Sequence, residues 1–530
     1  MARHTLAPLS RTTLAGLLLA SACVAPLAVH AETTVTAVMH AGLRVMDPVF
    51  STSFLTRDHG YMIYDTLLGM DEQFHVQPQM ADWSVSDDGK TYTFTLRDGL
   101  KWHDGTPVTP ADCIASIKRW MGVDGTGQVL QTMVEDMSAV DEKSFSVRLQ
   151  EPTGLLLSGL AKLSSRPAFM MPERIAVTPG SEAITEFVGS GPFTFVADQF
   201  RPGVKVVYAK NTDYQPRSEP ASWTAGGKVV NVDKVEWVTM PDAITGVNAL
   251  LQGEIDFMQQ IPLDLLPLLQ NNDDVKLDTI DELGNWTYFR FNHLHAPFND
   301  PAVREAAMLA IDQQQVLNAL IGNPDYSRTC ATTLGCGNPF ESDYRYDDVV
   351  KPQLEKAQAL LKSSSYKGEP VVILHPTDMA TVSPQPVVIA DALRKAGFNV
   401  QLKSMDWQSV VMQQGNQSDA ANGGWNIFST YATLASSGDP FGNTTLNASG
   451  KQAWAGWPDV PEIEALRKQF ALTTDDAERK AIALKINELA IDQGVVIPLG
   501  QFTIPSAYSQ TLHNVPHSPV TVFWSLSKSN

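Results

Sequence analysis

The chain is poor in positive charge. It carries 39 Lys and Arg against 58 Asp and Glu, a formal net charge of −19 over 530 residues. Nucleic-acid binding usually leaves a basic footprint, so that class falls first. Cysteine is scarce too, four in all. No C-x-x-C pair is present, which disfavours a structural zinc site. Beyond the first residues, no apolar run approaches the roughly 20 residues that span a bilayer. Repeats and long Gly-, Ser- or Pro-rich linkers are missing, so interleaved, closely packed domains fit better than beads on a string.

Catalytic signatures are missing as well. There is no G-x-S-x-G, H-E-x-x-H, G-x-x-x-x-G-K-[ST] or G-x-G-x-x-G. Gly189-Ser190-Gly191-Pro192 resembles a nucleophile elbow only superficially, because Pro192 would interrupt the helix expected after it; a turn is the better reading. His293-x-His295 could offer two metal ligands, but a surface or core-edge role is favoured. We therefore expect no metal, no cofactor and no enzyme. A secreted hydrolase would need a nucleophile–base–acid constellation that is not visible here.

What is present suits a large globular protein. Hydrophobic residues make up 43%, enough for two to four domains at roughly 100–200 residues each. Residues 1–31 hold Arg3 and Arg11, no acidic residue, the apolar stretch Leu14–Leu19 and a small-residue end at Val29-His30-Ala31. That pattern predicts a secretory leader cleaved after Ala31. Cys23 follows a weak lipoprotein-like box in which Ala20 stands where Leu is preferred, so lipid anchoring is disfavoured. In an oxidising compartment Cys330 and Cys336 could close a small loop, while Cys113 reads as a buried thiol.

Local patterns supply the elements. Trp83–Leu96 reads as a hairpin turning at Asp88-Gly89, with Tyr92, Phe94 and Leu96 on one face. Asp112–Trp120 reads as a helix. Asp300-Pro301 opens a helix that Gly322 ends. Val371–Leu374, a helix over 386–396 and Asn399–Leu402 form a βαβ-like unit and suggest a partly parallel sheet. Thr474 is expected to cap a helix stopping at Gly494, before the apolar run Val495–Leu499.

The stretch from Trp83 to Asp112, with Asp98-Gly-Leu-Lys-Trp-His-Asp-Gly105 at its centre, resembles the signature of the family 5 extracellular solute-binding proteins. These serve peptide/nickel-type ABC importers. Tyr64–Asp71, Gly189–Phe193, Asn211–Tyr214, Leu250–Asp256, Phe291-Asn292, Pro297-Phe298, Pro301–Arg304 and Val496–Leu499 extend the resemblance along nearly the whole chain. It implies an α/β, two-lobed periplasmic binding protein fold (type II, cluster C) with an extra β-rich subdomain in the first lobe. The expected division is 1–31 leader, 32–72 first lobe, 73–187 β-rich subdomain, 188–284 first lobe, 285–498 second lobe and 499–530 first lobe. Most of the signature hairpin is expected to be scaffold. The implied partners are a small-molecule or peptide ligand and an inner-membrane ABC permease, with the protein a periplasmic monomer.

The resemblance implies a ligand cleft between lobes but leaves its specificity open. Dipeptide-type members bind the ligand amine with an Asp where Ser436 stands here, and the carboxylate with an Arg in the loop matching 375–384, which has no Arg or Lys. Asp378 or Asp439 could take over the amine after a register shift. The candidate ligand residues are Leu43 and Met46 on the near wall, Asn292 as a neutral donor and acceptor, and Trp407 and Tyr431 as aromatic contacts. Ser436 and Asp439 complete the set. Trp407 and Tyr431 could instead be core, and Asp439 a turn residue. The solute read in this way is peptide-like; an opine-like, metal-chelate or sugar ligand is the alternative, and a chaperone or sensor on the same fold is a further one.

Overall fold

The computed structural model describes residues 32–529; the expected leader and Cys23 lie outside the described residues. The chain starts with strand β1 (Thr34–Val38) and helix α1 (Phe54–Ile63). It then builds β2 (Ala81–Val85), β3 (Thr91–Leu96), α2 (Pro110–Met121), β4 (Val134–Ala139) and β5 (Ser144–Leu149). Next come β6 (Phe193–Phe195), β7 (Lys205–Lys210), β8 (Lys234–Val238), β9 (Phe257–Met258) and β10 (Val275–Asp278). The second lobe supplies β11 (Asn285–Phe291), α3 (Pro301–Leu309), α4 (Gln313–Leu320), β12 (Ser327–Arg328), β13 (Pro370–Pro376) and α5 (Pro384–Ala396). It continues with β14 (Asn399–Met405), α6 (Trp407–Gln414), β15 (Ile427–Thr433), α7 (Pro461–Leu472), α8 (Asp476–Asp492) and β16 (Ile497–Phe502). Strand β17 (Ser506–Ser509) returns to the first lobe.

Three sheets organise these elements. The first lobe holds the order β10-β17-β9-β1-β8-β7-β6, and the second holds β12-β16-β11-β15-β13-β14. A four-stranded antiparallel sheet, β2-β3-β5-β4, forms the β-rich subdomain. Each lobe sheet has a parallel part: β1 with β8 and β9, and β13 with β14 and β15. The chain passes between the lobes over 279–284 and 503–505. On either side of the two passages the strands pair antiparallel, β10 with β17 and β11 with β16.

Local chemistry explains most boundaries. Gly89 takes φ 70° in the β2–β3 turn, and Thr109 and Asp112 form a reciprocal capping box with Pro110 in the first turn of α2. Gly397 ends α5 at φ 107°. Two expectations are corrected. The helix read from Pro301 to Gly322 is two helices, because Asp312 accepts the backbone N–H of Gln315 and starts α4 afresh. The helix read from Thr474 is capped one residue later, by Asp475, whose carboxylate accepts the Glu478 N–H. The second-lobe sheet also runs on to Phe502, past the expected boundary at 498, since Gly500 at φ 105° lets β16 continue beside β11.

Buried charge ties the first lobe together. Lys228 Nζ donates to Asp65 Oδ1 at 2.7 Å with both side chains wholly buried, and the ammonium lies 4.9 Å from the Trp524 ring centroid. Tyr214 donates to Asp65 Oδ2 at 2.8 Å. The subdomain is fastened by a second pair, in which Arg119 of α2 donates to both oxygens of Asp47 at 3.1 and 2.7 Å. Burial pushes the Asp47 carboxyl up, but Arg119 and the Ile184 and Phe50 backbone N–H groups outweigh it and leave it below its ordinary value.

Removing one partner of such a pair strands a buried charge and costs about 3–5 kcal/mol. Lys228→Met and Arg119→Met are therefore expected to lower the urea midpoint sharply, whereas Lys351→Met on the surface should not. Because the folded Asp47 pKa is depressed, its contribution is present above the unfolded carboxylate value and is lost as pH falls through the folded one. Denaturant titrations at pH 7 and below pH ~4 should show the gap between wild type and Asp47→Asn shrinking on the acid side.

Candidate functional site

In open α/β sheets ligands bind beyond the carboxyl ends of parallel strands. Here the residues just beyond those ends are Met39, Thr239 and Gln259 in the first lobe and Thr377, Asp406 and Leu434 in the second. Segments around both sets meet. Ala435, just after β15, packs on the first-lobe core, while Phe74 and Trp223, edge to face at 4.9 Å, pack on second-lobe residues. The subdomain joins in: the Thr153 hydroxyl and Gly154 N–H both donate to Ala471 O, at 2.5 and 3.1 Å. The lobes are thus closed upon each other.

The expected ligand residues divide in this geometry. Leu43 and Met46 follow β1 but are buried within the first-lobe core. Trp407 is half-buried at the start of α6, and its backbone N–H donates to the exposed Asp378 carboxylate at 2.7 Å. Tyr431 is half-buried in β15, edge-on to Phe502 at 5.7 Å. Ser436 is half-buried and donates to Thr433 O at 2.8 Å. Asp439 accepts the N–H groups of Phe441 and Gly442 at 2.9 and 2.7 Å and lies 3.9 Å from Arg479, so it holds its own turn. Asn292 is wholly buried, with its amide donating to Trp425 O and accepting from Leu294 N, both at 3.0 Å. Trp407, Tyr431 and Ser436 therefore belong to the carboxyl-end side of the second lobe, whereas Asn292 lies at the opposite end of that sheet.

The remaining singled-out groups are structural. Cys330 and Cys336 are joined, with Cα atoms 5.9 Å apart, and Cys113 is a buried free thiol whose pKa burial pushes up. His293 and His295 place a ring nitrogen against Gly494 O and Gln417 O, at 3.0 and 2.8 Å. Among the described residues, no cluster of His, Cys, Asp and Glu is arranged to hold a metal ion, and no helix is long and apolar enough to cross a membrane. Gly189 is required by packing, since a Cβ there would lie 1.7 Å from Ile63 O.

A polar group that sequence reasoning passed over lies at the first-lobe wall. Arg57 and Asp58 sit side by side in α1, nine of whose ten residues are buried. Arg57 Nε and Nη2 donate to Asp58 Oδ1 at 3.0 and 2.9 Å, and Nη1 donates to Leu163 O at 2.9 Å. Gln259, at the end of β9, donates to Thr521 Oγ1 at 2.7 Å and accepts the His40 N–H at 2.9 Å. Burial pushes the Asp58 carboxyl above its ordinary value against the opposing charges of Arg57 and His40. Asp281, in the passage between lobes, is also pushed up by burial, against the Gly284 N–H at 3.0 Å and the charge of Arg57. The one available signal was an Arg-Asp pair inside a helix that is otherwise almost free of charge.

Comparison with known proteins follows the same lines. The family model for bacterial extracellular solute-binding proteins, family 5 (middle) matches residues 75–454. A probable peptide ABC transporter periplasmic-binding protein of Sinorhizobium fredii, y4tO, is 40% identical over 97% of this chain and 98% of its own length. The dipeptide-binding protein DppE of Bacillus subtilis is 26% identical, covering 86% of this chain and 84% of its own. The crystal structure of the ABC transporter substrate binding protein CtaP from Listeria monocytogenes superposes with a TM-score of 0.78 at 20% identity, over 94% of this chain and 100% of that one. The two-lobed architecture, the run of motifs and a family match over most of the chain agree: this protein belongs to the bacterial extracellular solute-binding proteins of family 5.

Proposed function

We propose that the protein is the exported solute receptor of an ABC importer. It captures a peptide or peptide-like solute between its lobes in the periplasm and hands it, as a monomer, to an inner-membrane permease. It performs no chemistry on the solute. The end-to-end likeness to the rhizobial peptide-type relative carries this reading. The parallel strands in each lobe sheet, whose carboxyl ends are where α/β sheets bind ligands, support it. The paired passages at 279–284 and 503–505 are where a hinge would flex. One observation favours a non-peptide solute as the second reading. Ser436 is neutral, and 375–384 holds no Arg or Lys, so neither half of a dipeptide clamp is present.

Native mass spectrometry of the protein as purified, repeated after denaturation and refolding to strip the ligand, tests the assignment. Peptide masses released on stripping support it; a single non-peptide mass refutes it and identifies the solute class. Saturating ligand at about a hundred times Kd should add about 2.7 kcal/mol to stability, visible as a raised thermal midpoint.

Closure has its own test. A Cβ at Gly154 would lie 2.2 Å from Arg479 Nη1 and 2.5 Å from Thr473 O. Gly154→Ala is expected to leave the far-ultraviolet spectrum unchanged and to weaken ligand binding roughly tenfold, about 1.4 kcal/mol. The ligand-bound variant should also scatter X-rays with a larger radius of gyration than bound wild type. Equal radii and affinities would show that this contact plays no part in closure.

A further inference from the structure

The loop that Cys330 and Cys336 close is buried and lies outside every helix and strand. Buried irregular backbone leaves N–H and C=O groups that only well-placed side chains can satisfy. Gln313, on α4, accepts the Cys330 N–H at 2.9 Å and donates to Cys330 O at 3.0 Å. Asn487, on α8, accepts the Thr333 N–H at 2.8 Å. Gln501, on β16, accepts the Cys336 N–H at 3.0 Å and donates to Leu283 O, in the passage between the lobes, at 2.6 Å. The loop is thus fixed at both ends and in its middle.

This loop backs the segment that follows β15. Leu434–Ser437 is a helical turn of 4 residues, far too short to hold its own shape. A Cβ on Gly335 would lie 1.7 Å from Leu434 Cδ1, so the loop backbone rests directly on that side chain. Leu334, Leu434 and Leu283 share one core cluster. Buried Asn443 joins loop and turn, donating to Thr333 O at 3.2 Å and to Ser437 O at 3.0 Å. Between these two attachments lie Ala435, packed on the first-lobe core, and the half-buried Ser436.

We propose that the Cys330–Cys336 loop is the positioning element of the solute wall. Acting through Leu434 and Asn443, it holds Ala435 and Ser436 where the second lobe meets the first, so that closure over a solute depends on the disulfide. The proposal rests on the solute-receptor reading and adds to it the part of the second lobe that must be rigid before a solute arrives. The bond removes conformations otherwise open to the loop, and a wall that is in place only part of the time loses affinity in the same proportion.

Amide exchange and solute capture test this together, well below the thermal midpoint. The variants are Cys330→Ala/Cys336→Ala, Asn443→Ala, which keeps the disulfide, and Ile389→Ala, which opens a cavity in the core on the other face of β11. Capture is read by native mass spectrometry from an equimolar mixture of di- to pentapeptides. The Leu434 and Gly438 N–H groups donate to Gly284 O and Leu434 O. In the double cysteine variant and in Asn443→Ala they should exchange at least ~10-fold faster, with β1 and β8 unchanged, and peptide capture should weaken at least ~10-fold. Ile389→Ala should lower the thermal midpoint and alter neither. Wild type refolded in dithiothreitol should match the double variant and recover on reoxidation. If one of the two wall variants does not fold, the other decides. Unchanged exchange at 434–438, faster exchange spread evenly over the second lobe, capture intact despite faster exchange, or an equal loss of capture in Ile389→Ala would each overturn the proposal. If wild type captures no peptide, the peptide reading fails, and the exchange pattern alone decides whether the loop positions the wall.

Discussion

The first lobe is organised around a carboxylate and an ammonium that have both left water. Asp65 and Lys228 are wholly buried at 2.7 Å, and each is useful only because the other is there. Tyr214 completes the carboxylate's hydrogen bonds, and the Trp524 ring covers the ammonium. The neighbouring backbone at Ile63–Tyr64 is where Gly189 and Gly191 press in, too closely for any side chain. His103 donates its N–H to Gly189 O at 2.8 Å, and Asn211 donates to Gly191 O at 2.9 Å. Four motifs far apart in the sequence therefore meet at one node: Tyr64–Asp71, the hairpin signature, Gly189–Phe193 and Asn211–Tyr214. Their shared task is to join the subdomain to the lobe.

That division of labour explains why the motifs identify the family without naming a ligand. The node lies on α1's carboxyl end, whereas Arg57 and Asp58 lie nearer its amino end. One helix thus links the fixed joint to the cleft wall. Across the cleft, the segment after β15 combines a turn held by Asp439 with the neutral Ser436 and with Ala435 docked on the first lobe. Specificity then falls to side chains that no backbone geometry dictates.

Legibility in the sequence follows the same physics. The β2–β3 hairpin, the capped α2 and the β13–α5–β14 unit were readable because a turn residue, a cap or a period fixes each locally. The break between α3 and α4 was not, since an apolar face runs straight through Ala310-Ile311 and only the Asp312 cap reveals the new start. The run of β16 through Gly500 to Phe502 was not legible either, because it depends on pairing with β11, which lies more than 200 residues away in the sequence. Asp281, Arg57 and Asp58 were invisible for a different reason. Each is an ordinary polar residue locally, and only the juxtaposition of α1 with the passage between lobes gives it a surrounding.

The position of β17 carries a consequence for how the molecule is made. This strand, close to the end of the chain, is inserted between the edge strand β10 and β9 of the first-lobe sheet. Lys528 reaches back to Thr34 O and Asp256 at 2.8 and 2.9 Å. The first lobe therefore cannot complete its sheet while its C-terminus is still being synthesised or threaded. Such distant pairings favour slow closure over early collapse into a finished domain. The second-lobe sheet has no such dependence on β17, so the two lobes differ in when their sheets can be finished along the emerging chain.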